Sequence, residues 1–410
     1  MHHRCFVRKI DLNNFQVATS ETARDINSRI LLNLVRKHQP ISRADLTRQS
    51  GLQRSTVSVI TEQLISEQWL KVGATGDLPR GRKPTFLHLN GDRAGIIGIN
   101  VQPCVTDMAL ANLDGRFLVQ ESLPTPTSSD AFVKQVSQRI CSWMKIHPHI
   151  AYEGIGVGLP GRVDLETQRF VFAPNLVWHL EDLKPRLEEA TGLPVDMENA
   201  ANACVLSEAW FGNHAEKVRN LIAVTVSEGI GVGLILNGQL VLGRAGLAGE
   251  FGHVALNEEG PLCGCGNHGC WEVYASNSAA LRHYNELKSS TAYGKVKSRP
   301  PPPIKEFAEL LRLAGRGDAL ALATLDRMAH YLGRGMAMLV SGLAPDLIVV
   351  VGEVTSVWER LNPIITEVVR QLSFTHATTR IIASGPARLP RLRGIIALVM
   401  QKHFGAPATA

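Results

Sequence analysis

Long apolar runs are missing from this 410-residue sequence. The longest, such as Leu347–Val351, fall far short of the ~20 residues that a bilayer-spanning helix needs, so no membrane partner is expected. No secretory leader is expected either. The chain opens Met1-His2-His3-Arg4 with no apolar stretch behind it, so a cytoplasmic location is expected. Disorder is not expected from a composition that is 45% hydrophobic and 20% charged. Cysteine is sparse and odd in number. Of seven, Cys5, Cys104, Cys141 and Cys204 are scattered and read as small buried apolar residues, whereas three are bunched. The length exceeds one ordinary core, and two or three domains are expected.

Charge of one sign is confined to one end. Residues 1–90 hold 14 Lys+Arg against 7 Asp+Glu, while the remaining 320 residues are close to neutral. A basic excess localised in this way suits a polyanion partner. Residues 1–20 lack periodicity and read as a loose arm. From Asp25 the pattern turns helical, with Ile26, Ile30, Leu31, Leu34 and Val35 on one face until Pro40 stops it. Ser42 and Asp45 form a capping box for a short second helix, which Ser50-Gly51 ends. A third helix begins near Gln53 and buries Val57, Ile60 and Leu64. These are the ingredients of a helix-turn-helix. Two short strands follow, at Lys71-Val72 and Thr85–Leu89. The loop between them carries Arg80, Arg82 and Lys83 and reads as a wing. A boundary is expected near Asn90-Gly91-Asp92, which gives a winged helix-turn-helix over 21–90.

Beyond it, strands and helices alternate. A strand at Gly95–Val101 leads to a second that turns at Asp114-Gly115. A strand at Leu221–Val226 leads to a second, Gly233–Leu236, that turns at Asn237-Gly238. The repetition predicts a duplicated α/β lobe with a cleft between the copies: 91–212 plus 388–410 as the first lobe, 213–387 as the second. Ser289–Pro303 reads as a surface loop, Ala319–Leu343 as a long helix, Leu347–Val351 as a buried strand and Leu392–Phe404 as a terminal helix.

The sharpest local signal is Gly249-Glu250-Phe251-Gly252-His253 followed by Cys263, Cys265 and Cys270, spaced C-x-C-x4-C among glycines. Three thiolates and an imidazole make the closed tetrahedral set that zinc favours, so one structural zinc per chain is expected. His253 is the preferred fourth ligand. His268 is its rival, set inside the tight cysteine loop.

This cluster resembles the signature of the ROK family of sugar kinases and sugar-responsive repressors. Gly158-Leu159-Pro160-Gly161 with Asp164, Ala173-Pro174-Asn175-Leu176, Glu198-Asn199 and Ala248-Gly249-Glu250 match as well, so the resemblance covers nearly the whole chain. It implies an α/β, two-lobed, actin-like (ribonuclease H-like) sugar kinase fold preceded by the winged helix-turn-helix. It also implies sugar contacts at Asn175, Asn199, Glu250, His253 and Glu272. Carboxylates and amides supply the paired hydrogen bonds that neighbouring hydroxyls need.

The resemblance stops on the nucleotide side. The family's kinases place a catalytic base directly after Glu-Asn, where this chain has Ala200, and alanine accepts no proton. The first phosphate loop corresponds to Asn100-Val101-Gln102-Pro103-Cys104, which has neither glycine, and Pro103 lacks an N–H. The second corresponds to Ser227-Glu228-Gly229, whose carboxylate repels phosphate, and the late glycine pair is reduced to Val351-Gly352-Glu353. No catalytic activity is therefore expected. The reading is a DNA-binding regulator, a repressor, that senses a sugar; an active hexose or N-acetylhexosamine kinase with a fused DNA-binding domain is the alternative. The resemblance implies that Gln53, Arg54, Ser55, Thr56 and Ser58 face the major groove of double-stranded operator DNA, and Arg80, Arg82 and Lys83 are expected in the minor groove. Two-fold operators imply a homodimer or homotetramer.

Overall fold

The computed structural model describes residues 19–75, 85–164, 169–172, 176, 178, 183–212, 218–290, 303–373, 378–385 and 389–405. Its first helix is set by Thr19, whose hydroxyl accepts from the Thr22 N–H at 3.2 Å while the Thr22 hydroxyl accepts from the Thr19 N–H at 3.3 Å. This capping box starts α1 (Ser20–His38) several residues before the apolar pattern begins at Asp25. The first turn is exposed and so carries no hydrophobic period.

After β1 (Ile41–Ser42) the second box forms as expected. The Ser42 hydroxyl donates to Asp45 at 2.6 Å and accepts from its N–H at 3.2 Å, starting α2 (Arg43–Ser50). Gly51, at φ 71°, closes α2 in the left-handed region that favours glycine. α3 (Arg54–Ser66) follows, with Gln53 at its N-cap making no side-chain bond. β2 (Leu70–Thr75) and β3 (Thr85–Leu89) complete an antiparallel sheet in the order β1-β3-β2. β1 was not expected, because two residues are too few to show alternation. Leu31, Val35, Val57, Ile60, Leu64 and Leu87 fill the space between helices and sheet.

The body opens with β4 (Ala94–Val101), β5 (Val105–Asn112), β6 (Phe117–Pro124), α4 (Ser129–Ile146), β7 (Ala151–Leu159), β8 (Arg162–Asp164), β9 (Arg169–Phe172), α5 (Leu183–Thr191), β10 (Val195–Asn199) and α6 (Ala200–Phe211). It continues with β11 (Leu221–Val226), β12 (Ile230–Leu236), β13 (Gln239–Leu240), α7 (Glu272–Ala275), α8 (Asn277–Ser290), α9 (Phe307–Gly315), α10 (Ala319–Leu343), β14 (Leu347–Val351), α11 (Trp358–Leu372), β15 (Arg380–Ala383) and α12 (Pro390–Phe404).

Two five-stranded sheets carry this body, β10-β7-β4-β5-β6 and β15-β14-β11-β12-β13. In each, the first three strands in sequence form an antiparallel meander, and the last two add in parallel to the first. The duplication expected from the paired hairpins is thus present strand for strand. β4, β11 and β14 are buried along their whole length, as strands covered on both faces must be.

α6 and α12 pack together and reach both sheets. A Cβ on Gly394 of α12 would lie 1.6 Å from the Ala203 carbonyl oxygen of α6, and one on Gly233 of β12 would lie 2.3 Å from that of Ala201. Only glycine permits these approaches. An apolar cluster then joins the N-terminal helices to the body, with Leu31 and Val35 in the same core as Ile96, Ile396, Met400 and Phe404. Among the described residues, no helix is long and apolar enough to cross a membrane.

Candidate sugar and metal site

β12 organises the site. Gly249, at φ 97°, comes so close that a Cβ there would lie 2.2 Å from the Val232 carbonyl oxygen, which turns the chain into the short 3-10 helix Glu250–His253. At the start of β12, the Ile230 N–H donates to Glu272 Oε2 at 3.0 Å, which fixes that carboxylate at the first residue of α7. Glu272 Oε1 in turn lies 3.6 Å from Cys263 Sγ. His253 Nε2 stands 3.8 Å from Glu250 Oε2, with both side chains partly open to solvent. Glu250, His253 and Glu272 are therefore brought together around the cysteine loop.

His253, Cys263, Cys265 and Cys270 place one ligand atom each within 4.8 Å of one another. Around a tetrahedral zinc with Zn–S of about 2.3 Å and Zn–N of about 2.0 Å, sulfur–sulfur separations come to about 3.8 Å and sulfur–nitrogen separations to about 3.5 Å. Cys265 and Cys270 are 3.7 Å apart, and Cys263 Sγ is 3.5 Å from His253 Nδ1. The donor set fits a four-coordinate ion and leaves no open position for water. His268 is turned away, with its Nδ1 3.0 Å from the Gly260 carbonyl oxygen. That favours His253 over its rival.

Across β12 lies the start of α6. Asn199 caps the helix, its side-chain oxygen accepting from the Asn202 N–H at 2.8 Å. Glu198 is buried and accepts from the Asn199 N–H at 2.8 Å and from Asn202 Nδ2 at 3.0 Å. Burial pushes its carboxyl above the usual range. Among the described residues no hydrogen bond joins Asn199 to Glu250, His253 or Glu272, although β12 packs against both α6 and the Glu250–His253 turn. Asn175 lies outside the described residues.

The segments that the resemblance aligns with phosphate loops make hydrogen bonds within the chain. Gln102 Nε2 donates to Asp107 at 3.1 Å, and Arg391 Nη1 donates to Gln102 Oε1 at 3.1 Å, so both ends of the Gln102 amide are engaged by residues outside the loop. Asn277 links the other two loops. Its N–H donates to the Ser227 carbonyl at 2.8 Å, and its amide approaches Glu353 Oε2 at 3.5 Å. Sequence reasoning missed both Asp107 and Arg391, because their relevance comes from strand pairing and from a helix nearly 300 residues away.

In the N-terminal helices, Gln53, Arg54, Ser55 and Ser58 are exposed and Thr56 half-buried, on the side of α3 opposite Val57, Ile60 and Leu64. Val59 carries no signal in the sequence that sets it apart from the buried apolar residues of the helix. It is 58% exposed on that polar face, where a branched methyl pair can meet a thymine methyl. Arg80, Arg82 and Lys83 lie outside the described residues.

The ROK family model matches residues 96–402. The xylose repressor of Bacillus subtilis is 32% identical over 81% of this chain and 83% of its own length. Among solved structures, a ROK family transcriptional regulator homologous to the Escherichia coli Mlc protein superposes with a TM-score of 0.78 at 24% identity, covering 93% of this chain and 98% of its own. A ROK family glucokinase from Streptomyces griseus, in complex with glucose and AMPPNP, gives 0.64 at 28% identity over 75% of this chain and 100% of its own. With three quarters of its length matched by the family's model and a repressor relative aligned over most of both chains, the protein belongs to the ROK family.

Proposed function

We propose that this protein is a DNA-binding transcriptional repressor whose body binds a sugar or sugar derivative and does not phosphorylate it. The observation that carries this reading is the contrast within one cleft. Glu250, His253 and Glu272 converge around the cysteine loop, while Gln102 bonds both Asp107 and Arg391 where a nucleotide phosphate would bind. Ala200 at the first position of α6 offers no base for an attacking hydroxyl, a loss of roughly two to four orders of magnitude in rate. In sequence, the match to a repressor extends over 81% of the chain against 62% for a glucokinase, which supports the same division, since only a regulator needs the N-terminal helices.

In this reading residues 21–90 form the winged helix-turn-helix, and Gln53, Arg54, Ser55, Thr56 and Ser58 read the major groove with Arg80, Arg82 and Lys83 in the minor groove. The body divides into 91–212 with 388–410 and 213–387, and Asn175, Asn199, Glu250, His253 and Glu272 hold the sugar between them. A zinc ion held by His253, Cys263, Cys265 and Cys270 would supply a structural cross-link, setting the ring of His253 against the sugar. A homodimer or homotetramer matches a two-fold operator, and a DNA partner places the protein in the cytoplasm.

The experiment is a two-step one. A binding site is selected from random duplex DNA with the full-length protein, and its affinity is measured with and without D-xylose, D-glucose and N-acetyl-D-glucosamine. Sugar-dependent weakening is expected. Indifference to sugars with DNA binding intact would leave a repressor governed by some other signal.

A further inference from the structure

α6 and α12 run side by side from the cleft to the N-terminal helices. α6 starts at the Asn199 cap, and Arg391 in the first turn of α12 bonds Gln102 on the nucleotide side. At their far ends Trp210 and Phe404 meet edge to face, with ring centres 6.0 Å apart.

The last four carbonyls of any helix find no partner within it. Here one face of α1 supplies the partners for both helices. Arg29 Nη1 donates to the Lys402 and Gly405 carbonyls at 3.1 and 2.9 Å, and Asn33 Nδ2 to the Phe404 carbonyl at 2.6 Å. Arg36 Nη1 donates to the Trp210 carbonyl at 3.2 Å, with its guanidinium 4.6 Å from the centre of the Trp210 ring. Spacings of four and three residues put Arg29, Asn33 and Arg36 on one stripe. The stripe's positive charges sit against the negative ends of two helix dipoles. The Nε of Arg36 is buried without a hydrogen-bond partner, so the carbonyl and ring of Trp210 are what its guanidinium has gained for leaving water.

We propose that the Arg29–Asn33–Arg36 stripe of α1 is the contact through which occupancy of the sugar cleft reaches the DNA-reading helix. The inference rests on the sugar-sensing reading above and names its regulation. A sugar hydroxyl that engages Asn199 competes with or tightens the cap bond to Asn202, and so shifts the first turn of α6. α6 is rigid and about 18 Å long, at 1.5 Å per residue, so its Trp210 end moves with it relative to the end of α12. A single stripe satisfies both carbonyl sets in only one mutual setting. Any other setting breaks bonds on α1, and α1 is tied directly to α3 by Arg24, which donates to Gln63 at 2.6 Å.

Hydrogen exchange on the full-length protein tests this, with D-xylose, D-glucose and N-acetyl-D-glucosamine as the probes and calorimetry recording which of them binds. In the wild type, a sugar that binds changes the exchange rate of the amides from Val35 to His38 by ~5-fold or more, the lower end of ordinary allosteric coupling. Arg36→Met and the milder Asn33→Ala should bind the same sugar within about twofold of the wild-type affinity, with those amides no longer responding; Asn33→Ala keeps the test alive if Arg36→Met fails to fold. A sugar response persisting in both variants overturns the stripe as the contact, with sugar sensing left standing. If none of the three probes binds the wild type, the sugar reading fails, and the proposal with it.

Discussion

The guanidinium of Arg93 lies 3.8 Å from the centre of the Trp69 ring, and its Nη1 bonds Glu153 at 2.9 Å. On the other side of Glu153, His403 of α12 completes the link at 2.8 Å. Four residues, from the turn after α3, the first turn of the body, β7 and the terminal helix, thus form one junction.

That junction gives a pH signature. The hydrogen bond from His403, reinforced by Arg93, holds the Glu153 carboxyl below the usual range. A depressed carboxylate adds stability above its unfolded value of about 4.3, and loses it as pH falls through the folded value. Stability measured by urea titration from pH 6 downward should therefore fall more steeply in the wild type than in Glu153→Gln. Parallel acid limbs would show the junction to be energetically idle.

Gly394→Val should be strongly destabilising. A Cβ 1.6 Å from the Ala203 oxygen forces α12 off α6, at a cost of about 3 kcal/mol, or several degrees in Tm. Gly315→Ala at the end of α9, where no atom lies within 4 Å of the added carbon, is the control and should be neutral to within about 0.5 kcal/mol.

Elemental analysis should find one zinc per chain. His253→Ala and Cys265→Ser should lose it and melt lower, whereas His268→Ala should keep it, since His268 bonds a backbone carbonyl instead. Retention of full zinc by His253→Ala would reassign the fourth ligand.

No hexose should be phosphorylated by the wild type in a coupled ATP assay. Ala200→Asp restores a base but leaves Gln102 bonded to Arg391 and Asp107, so its gain should stay far below the ~10²–10⁴-fold that a well-placed base supplies. Brisk turnover by either form would end the sensor reading.

Much of this was legible in the sequence because it is locally encoded. The Ser42 capping box, each of the paired hairpins and the C-x-C-x4-C loop declare themselves within about twenty residues, and His253 joins the three cysteines as the spacing implied. What escaped was either too short or too distant. β1 has two residues, and α1 begins on an exposed turn without apolar period. The bonds from Arg29, Asn33 and Arg36 cross more than 170 residues of sequence, and nothing in an arginine's neighbours announces which far carbonyl it will meet.

The closure of α1 by the end of α12 has a consequence for biosynthesis. A ribosome releases residues 19–90 long before residues 396–405, yet Phe404 and Met400 belong to the core that seats Leu31 and Val35. The nascent N-terminal segment therefore waits, part of its apolar face unsealed, for α12 to emerge. A truncation that removed α12 would therefore unseat α1, hundreds of residues upstream in the sequence.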